Sequence, residues 1–293
     1  MHAATHWASG RLDGLHGPRR VLFGRVYEDS AIELGAFEPG GRIACIASAG
    51  DTAIDLSARH HVTGVDINPV QLAYARRRAA GTPARAGVAE RGLAWGRRAL
   101  RLAGWRPDLL ESFLQMDDPA GQVVFWRERL ETKRFSLVVD TLLRPALLHA
   151  VYAAPLLAVL PSPFGPVLRA RMRRCWATHP NRSNPYARAL LAGGLNAPAT
   201  RAVTPIRFVC ADMAEFLESC PPASFDGFAF SNILDGAGPG YRERLFRAAR
   251  HAGAPGSVMV HRSFAEPDPA MERNQAGCDR SFLWGTVAVV PLH

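Results

Sequence analysis

The chain has 293 residues, 48% of them hydrophobic and 21% charged, with a formal net charge of +9. That length buries a sizeable core as one large domain or one domain with an insert, and the balance excludes disordered and fibrous classes. Lys133 is the only lysine, so arginine carries the charge: either a GC-rich coding bias, or a surface suited to anionic lipid or an anionic cofactor.

The N-terminal MHAATHWASGRLDG lacks the apolar run of a secretory signal. Five scattered cysteines form no C-x-x-C pair, so reduced thiols and a cytoplasmic setting are expected. Residues 19–38 form a leading segment, expected as a short helix with turns around Gly24 and Asp29. GGRIACIAS (40–48) is a continuous apolar run bounded by glycines, hence a buried strand. DTAIDLSARH (51–60) follows as a helix, with Asp51 or Thr52 as its N-cap. HVTGVDIN (61–68) is a second strand, β-branched and ending in an acid. PVQLAYARRRAAG (69–81) is a helix with proline at its first position and Gly81 at its end. Strand, turn, helix, strand, helix is a βαβ unit and implies an α/β fold with a parallel sheet.

Residues 82–204 repeat Leu, Ala, Arg and Trp at helical spacing and are expected as a largely helical insert between the second and third core strands. Its most apolar part, PALLHAVYAAPLLAVLPSPFG (145–165), is short for a bilayer span and contains His149 and Pro155. It is expected either as a buried helix pair or as an interfacial element that dips into lipid. The sheet then resumes with IRFVCADMAEFL (206–217), FDGFAFSNIL (225–234), GSVMVHRSF (256–264) and SFLWGTVAVVPL (281–292), with a helix at GYRERLFRAARHAG (240–253). No repeat or low-complexity tract interrupts residues 1–293, which read as a single domain.

Ligands of open α/β sheets bind outside the carboxyl ends of the strands, where strand order reverses. The first strand ends in Ser48 and Gly50, where a missing Cβ lets a ligand approach the backbone. The second ends in Asp66, Ile67 and Asn68, with an acid placed for both ribose hydroxyls. The third ends in Asp212 and Met213, suited to an exocyclic amine and an adenine face. The fourth ends in Ser231 and Asn232, with Asp235 just beyond. One glycine in place of three describes an adenosine site without a pyrophosphate clamp, which suits S-adenosylmethionine as co-substrate better than a dinucleotide. The alternative is a set of strand-end acids that merely cap helices. His60, His61 and His179 have no partner at metal-ligand spacing, so no metal is expected. No arginine block interleaves with aromatics along one element, so nucleic acid is not an expected partner.

LFGRVYED, IASAGDTAIDL, VDINPVQLAYARRR, NRSNPYARALLAGG and DRSFLWG fall in order from about residue 20 to residue 290. Together they resemble the betaine-lipid family of S-adenosylmethionine:diacylglycerol 3-amino-3-carboxypropyltransferases. The resemblance implies a Rossmann-like class I methyltransferase fold used for another transfer. An acceptor hydroxyl attacks the γ-carbon of the methionine moiety, and 5′-methylthioadenosine leaves. The chain departs from the family pattern at Tyr27, where tryptophan is expected, in SNILDGAG after the fourth strand, and in a shorter insert. The implied partners are S-adenosylmethionine, a lipid or small-molecule hydroxyl acceptor, and a peripheral membrane contact. Methyl transfer, and a non-catalytic membrane-surface protein on the same scaffold, are the competing readings.

The reaction requires the aminocarboxypropyl carboxylate to be anchored, and arginine matches a carboxylate with its fork. Arg25 and Arg182 are the candidates. The acceptor proton requires a base, for which Tyr27, Glu28, Asp29, Asp235 and His261 are available. Tyr27 and Asp29 are preferred as members of a family motif, although Glu28 and Asp29 equally suit a helix start, and His261 a core position. Asn184 and Tyr186 are expected either to lid the methionine moiety or to serve as turn residues before Pro185.

Overall fold

A computed structural model of the chain describes residues 7, 10–12, 18–149, 152–194, 201–268 and 273–292. Most of the N-terminal stretch read for a signal lies outside the described residues. Among the latter, six strands form one sheet: β1 (Arg42–Ile46), β2 (His61–Asp66), β3 (Arg207–Cys210), β4 (Phe225–Ala229), β5 (Gly253–Ser263) and β6 (Thr286–Pro291). Their spatial order is β3-β2-β1-β4-β5-β6, parallel throughout except for β6, which runs antiparallel to β5. The fold is a Rossmann-like α/β sheet whose order reverses between β1 and β4.

The strands read as unbroken apolar runs because both faces of the sheet are covered. On one face Ile43 and Cys45 pack against α1 (Ala31–Ala36) and α2 (Asp51–Leu56). On the other, Ala44, Val65 and Phe228 pack against α12 (Met213–Ser219) and α13 (Pro239–Ala252). Helix α3 (Pro69–Ala79) begins at an Asn68 cap, whose side chain accepts from the Val70 N–H.

Between α3 and β3 the chain is helical, as the spacing predicts: α4 (Val88–Leu102), α5 (Pro107–Leu114), α6 (Pro119–Phe125), α7 (Lys133–Leu142), α8 (Pro145–His149), α9 (Ala154–Leu157), α10 (Phe164–Thr178) and α11 (Pro185–Leu191). Helix α6 continues as one wider π-turn over Trp126–Leu130. These helices own a separate aromatic core, in which Trp105 stacks on Phe135 at 4.9 Å and Trp126 lies 5.5 Å from Trp176. The described part of the 145–165 stretch does give a pair of short helices, α8 and α9, but not a buried pair: α8 buries no residue and α9 only Leu156, and no helix among the described residues is long and apolar enough to cross a membrane.

The leading segment holds its expected short helix in α1, after bends at Gly24 and Glu28, and ahead of that helix several backbone N–H groups bond to side chains. Gln71 accepts from the Leu22 and Phe23 N–H groups, Glu90 from Gly24, and Asp51 from Val26. Two local expectations are corrected. The α2 N-cap is Gly50, not Asp51 or Thr52; the Asp51 carboxylate is instead taken by Val26 and by the Arg78 guanidinium at 2.7 Å. The last strand starts at Thr286 rather than near Ser281, since Phe282 sits at φ 52° and Trp284 donates its indole N–H to the Tyr27 carbonyl.

One buried ion cluster joins the distant parts. Arg262 of β5 has no exposed side-chain surface. Its guanidinium donates to Asp279 at 3.0 Å, to both Glu33 oxygens, to the Asp29 carbonyl, and to Glu28 at 3.4 Å. Burial opposes its charge, but Glu33, Glu28 and Asp279 more than offset this. Removing one partner of a buried ion group leaves the others uncompensated, at about 3–5 kcal/mol. Arg262→Met is therefore expected to lower unfolding free energy by about that amount in denaturant titration. Arg182→Ala, at an exposed ion pair with Asp117, is expected to change it by less than about 1 kcal/mol.

Candidate functional site

Register sets the site. Ile46 pairs with Val65, Cys45 with Ala229 and Asp66 with Cys210, so β1, β2, β3 and β4 end level with one another. Their trailing residues line a cleft with about 670 Å³ of open space. Ser48, Asp66, Ile67, Asn68, Asp212, Met213, Ser231 and Asn232 all line it. Asp66 accepts one backbone N–H on each oxygen, from Ser48 at 3.0 Å and Asn68 at 2.8 Å, which leaves further lone pairs on both oxygens. Burial pushes its carboxyl up to about 7, against those two hydrogen bonds. Asp212 caps α12 through the Glu215 N–H and accepts from the Tyr241 hydroxyl at 2.8 Å. The Asn68 side chain is engaged by Val70 and by the Arg20 carbonyl, so only its surface borders the cleft.

Beside this cleft lies a more apolar chamber with about 1210 Å³ of open space, its solvent-facing part included. Leucines from α4, α8, α9 and α10, together with Tyr152, Phe164 and Trp284, build its wall. Trp7, Phe23, Ser48, Ser231 and Asn232 line both spaces, so the two adjoin at the β1–β4 switch. Ser48 and Ser231 both hold left-handed backbone, φ 43° and 52°. Such conformations cost energy outside glycine and concentrate at functional sites.

Gly50 is not part of either lining. At φ 94° it turns the chain into α2, and a Cβ there would meet the Ala75 backbone at 3.3 Å. Its freedom serves the turn and the close packing of α3; the loop residue at the cleft is Ser48.

Of the proposed bases, Glu28 is the one at the junction. It lines the chamber, accepts from the Ser231 hydroxyl, and is pushed up to about 7 by burial and by Glu33, against the opposing Arg262 charge. Tyr27 also lines the chamber, but burial and the neighbouring Glu90 raise its hydroxyl pKa, so it stays protonated. Asp29 is not free to act: burial raises its pKa, but two hydrogen bonds from Arg280 outweigh this and hold it low. Asp235 lies outside both linings and accepts from Ser263, Phe264 and Asn232. His261 is buried against Phe246, and burial with Arg242 and Arg262 lowers it to about 4.

Of the proposed anchors, Arg25 lines the chamber, and among the described residues its guanidinium makes no hydrogen bond or ion pair. Arg182 is exposed and held by Asp117 at 2.8 Å, away from both spaces. Asn184 caps α11 and donates to the Arg280 carbonyl, and Tyr186 lies beneath the Arg280 guanidinium at 5.7 Å. The NRSNPY motif thus fastens the helical insert to the C-terminal loop instead of lidding the cleft. Gln71, Arg262 and Tyr241 escaped the sequence reading. An arginine inside the apolar run VMVHRSF was the available signal for the ion cluster.

Among the described residues no group of three or more His, Cys, Asp or Glu side chains is arranged to hold a metal ion. No protein-family model matches the chain, and neither does any curated protein. Among solved structures, the [4+2]-cyclase SpnF aligns at TM-score 0.35 and 10% identity over 85% of this chain and 48% of its own. The chain therefore spans about half the length of that protein, and the site is read from its own residues.

Glu28 gives a pH signature without any ligand. Its folded pKa is raised from 4.5 to about 7, so the stability it contributes is full below pH 4.5 and is lost as pH rises through 7. Glu28→Gln removes that loss. The variant's stability relative to the parent is expected to rise by on the order of 3 kcal/mol between pH 4.5 and 8, read by denaturant unfolding.

Proposed function

We propose that the chain is an S-adenosylmethionine-dependent 3-amino-3-carboxypropyltransferase acting on a hydroxyl of an apolar, diacylglycerol-like acceptor. The observation that carries this reading is the shared wall of the two spaces, where a cleft bearing Asp66 and Asp212 meets an apolar chamber bearing Glu28 and Arg25. The five ordered sequence motifs support the choice of transferred group.

S-adenosylmethionine supplies a sulfonium with electrophilic neighbouring carbons, and attack on the aminocarboxypropyl carbon releases 5′-methylthioadenosine. Asp66 takes the ribose hydroxyls on its unused lone pairs. Asp212 receives the adenine amine, and the buried Met213 bounds the ring. Arg25 takes the arm's carboxylate with its two-pronged donors. Regiochemistry is a matter of alignment, so fixing that carboxylate on the chamber side turns the arm toward the acceptor. Glu28 accepts the hydroxyl proton as the acceptor oxygen forms its new bond, and Ser231 orients the carboxylate. The chamber's apolar lining favours a lipid over a small polar acceptor.

Incubation with S-adenosylmethionine and a lipid extract is expected to yield 5′-methylthioadenosine; S-adenosylhomocysteine as the product would overturn the reading. Activity should rise with pH through about 7 as Glu28 ionises. Glu28→Gln should lower kcat by about 10²–10⁴ and erase that limb. Arg25→Met should raise KM for S-adenosylmethionine roughly tenfold or more, the loss of a charge-assisted hydrogen bond.

A further inference from the structure

Where the two spaces meet, the lining carries no formal charge. Among the described residues Trp7, Phe23, Ser48, Ser231 and Asn232 border both. The ionisable groups stand back on either side, Asp66 and Asp212 in the cleft, Glu28 and Arg25 in the chamber. Two of the five shared residues are aromatic and half-buried, and the Trp7 and Phe23 ring centroids lie 6.5 Å apart at an interplanar angle of 53°.

Both rings are set by their backbones. Gln71, buried on α3, accepts from the Phe23 N–H at 3.2 Å and donates to the Phe23 and Ser48 carbonyls at 2.9 Å each. One side chain thereby fixes two junction residues against each other. Trp7 opens a turn in which its carbonyl accepts from the Gly10 N–H at 3.0 Å. Gly10, at φ 63°, lies so close to Arg19 and Asn68 that a Cβ would come within 2.8 Å of Arg19 Cγ and 3.1 Å of Asn68 Nδ2. The turn therefore rests directly on the α3 cap that borders the cleft.

Asn232 adds an oriented dipole. Its Nδ2 donates to Asp235 at 3.2 Å, and Asp235 is held in turn by the Ser263 hydroxyl and the Phe264 N–H. An ionised carboxylate only accepts, so the amide is turned with Oδ1 to the Ser231 side, 3.4 Å from that hydroxyl oxygen.

We infer that Trp7 and Phe23, with the Asn232 amide oxygen, cradle the sulfonium of the bound nucleoside. The inference rests on the S-adenosylmethionine reading above, which puts the ribose in the cleft and the aminocarboxypropyl arm in the chamber. The sulfur that joins them then falls at the junction. Aromatic rings attract a cation through their quadrupole. A carboxylate in their place would itself be a nucleophile beside electrophilic carbons; rings and an amide are far weaker ones. Transfer forms the bond from acceptor oxygen to Cγ and breaks the Cγ–S bond, leaving the electron pair on sulfur and the proton on Glu28. The resulting thioether is neutral, so the cradle holds the substrate more tightly than the product.

The test is calorimetric titration of the full chain with S-adenosylmethionine and with S-adenosylhomocysteine, which has an uncharged sulfur. Trp7→Leu keeps apolar bulk and removes the ring face. It should raise Kd for S-adenosylmethionine about five- to thirtyfold and for S-adenosylhomocysteine less than about twofold. The retained thioether binding also reports that the variant is folded. Trp7→Phe, which keeps a ring, should recover most of the loss. Equal weakening of both nucleosides, or of neither, overturns the inference and leaves the co-substrate reading standing. So does a phenylalanine variant as weak as the leucine one. If the parent chain binds neither nucleoside, the co-substrate reading falls and this inference with it.

Discussion

Arg262 carries a full charge in the interior of β5, and three other stretches of chain have to come together to satisfy it. Glu28 and the Asp29 carbonyl arrive from the leading segment, Glu33 from α1 and Asp279 from the C-terminal loop. Burial chiefly pushes one of these carboxyls toward its neutral form, with Glu33 and Asp279 adding to the push and the Arg262 charge opposing it. Glu28, at 3.4 Å, is that group. The same cluster that fixes the fold's ends thus also prepares a carboxyl that titrates near neutrality at the wall of the chamber.

Sheet topology supplies the rest of the arrangement. With β1 and β4 adjacent but far apart in sequence, their trailing residues Ser48 and Ser231, both in left-handed backbone, border the same two spaces at the carboxyl edge. The cleft with Asp66 lies over the ends of β1–β4. The apolar chamber extends under the helices inserted between β2 and β3, whose own aromatic core gives them rigidity independent of the sheet. In the proposed reading, this apolar wall beside the strand edge lets one centre meet two chemically unlike substrates.

Much of this was legible in the sequence, and the limits have physical causes. Strand ends are readable because each apolar run stops at a polar residue, which puts Ser48, Asp66, Asp212 and Ser231 on one edge. Gly50 was legible as a turn, but not which side its bare Cα would face. Glu28 and Asp29 are neighbours in an irregular segment, where sequence does not say which way each side chain turns. Only the partner elements decide that one meets Ser231 and the other Arg280. NRSNPY misled for the same reason: its asparagine and tyrosine are satisfied by Arg280, nearly a hundred residues away, and no local pattern announces such a partner.

The central claim is that the junction holds the aminocarboxypropyl arm between Arg25 and Glu28. A crystal structure with bound S-adenosylmethionine tests it most directly. The account predicts ribose hydroxyls on Asp66, the carboxylate on Arg25, and the γ-carbon facing the chamber beside Glu28. A bound molecule whose methyl group faces the chamber, with its carboxylate away from Arg25, would contradict it.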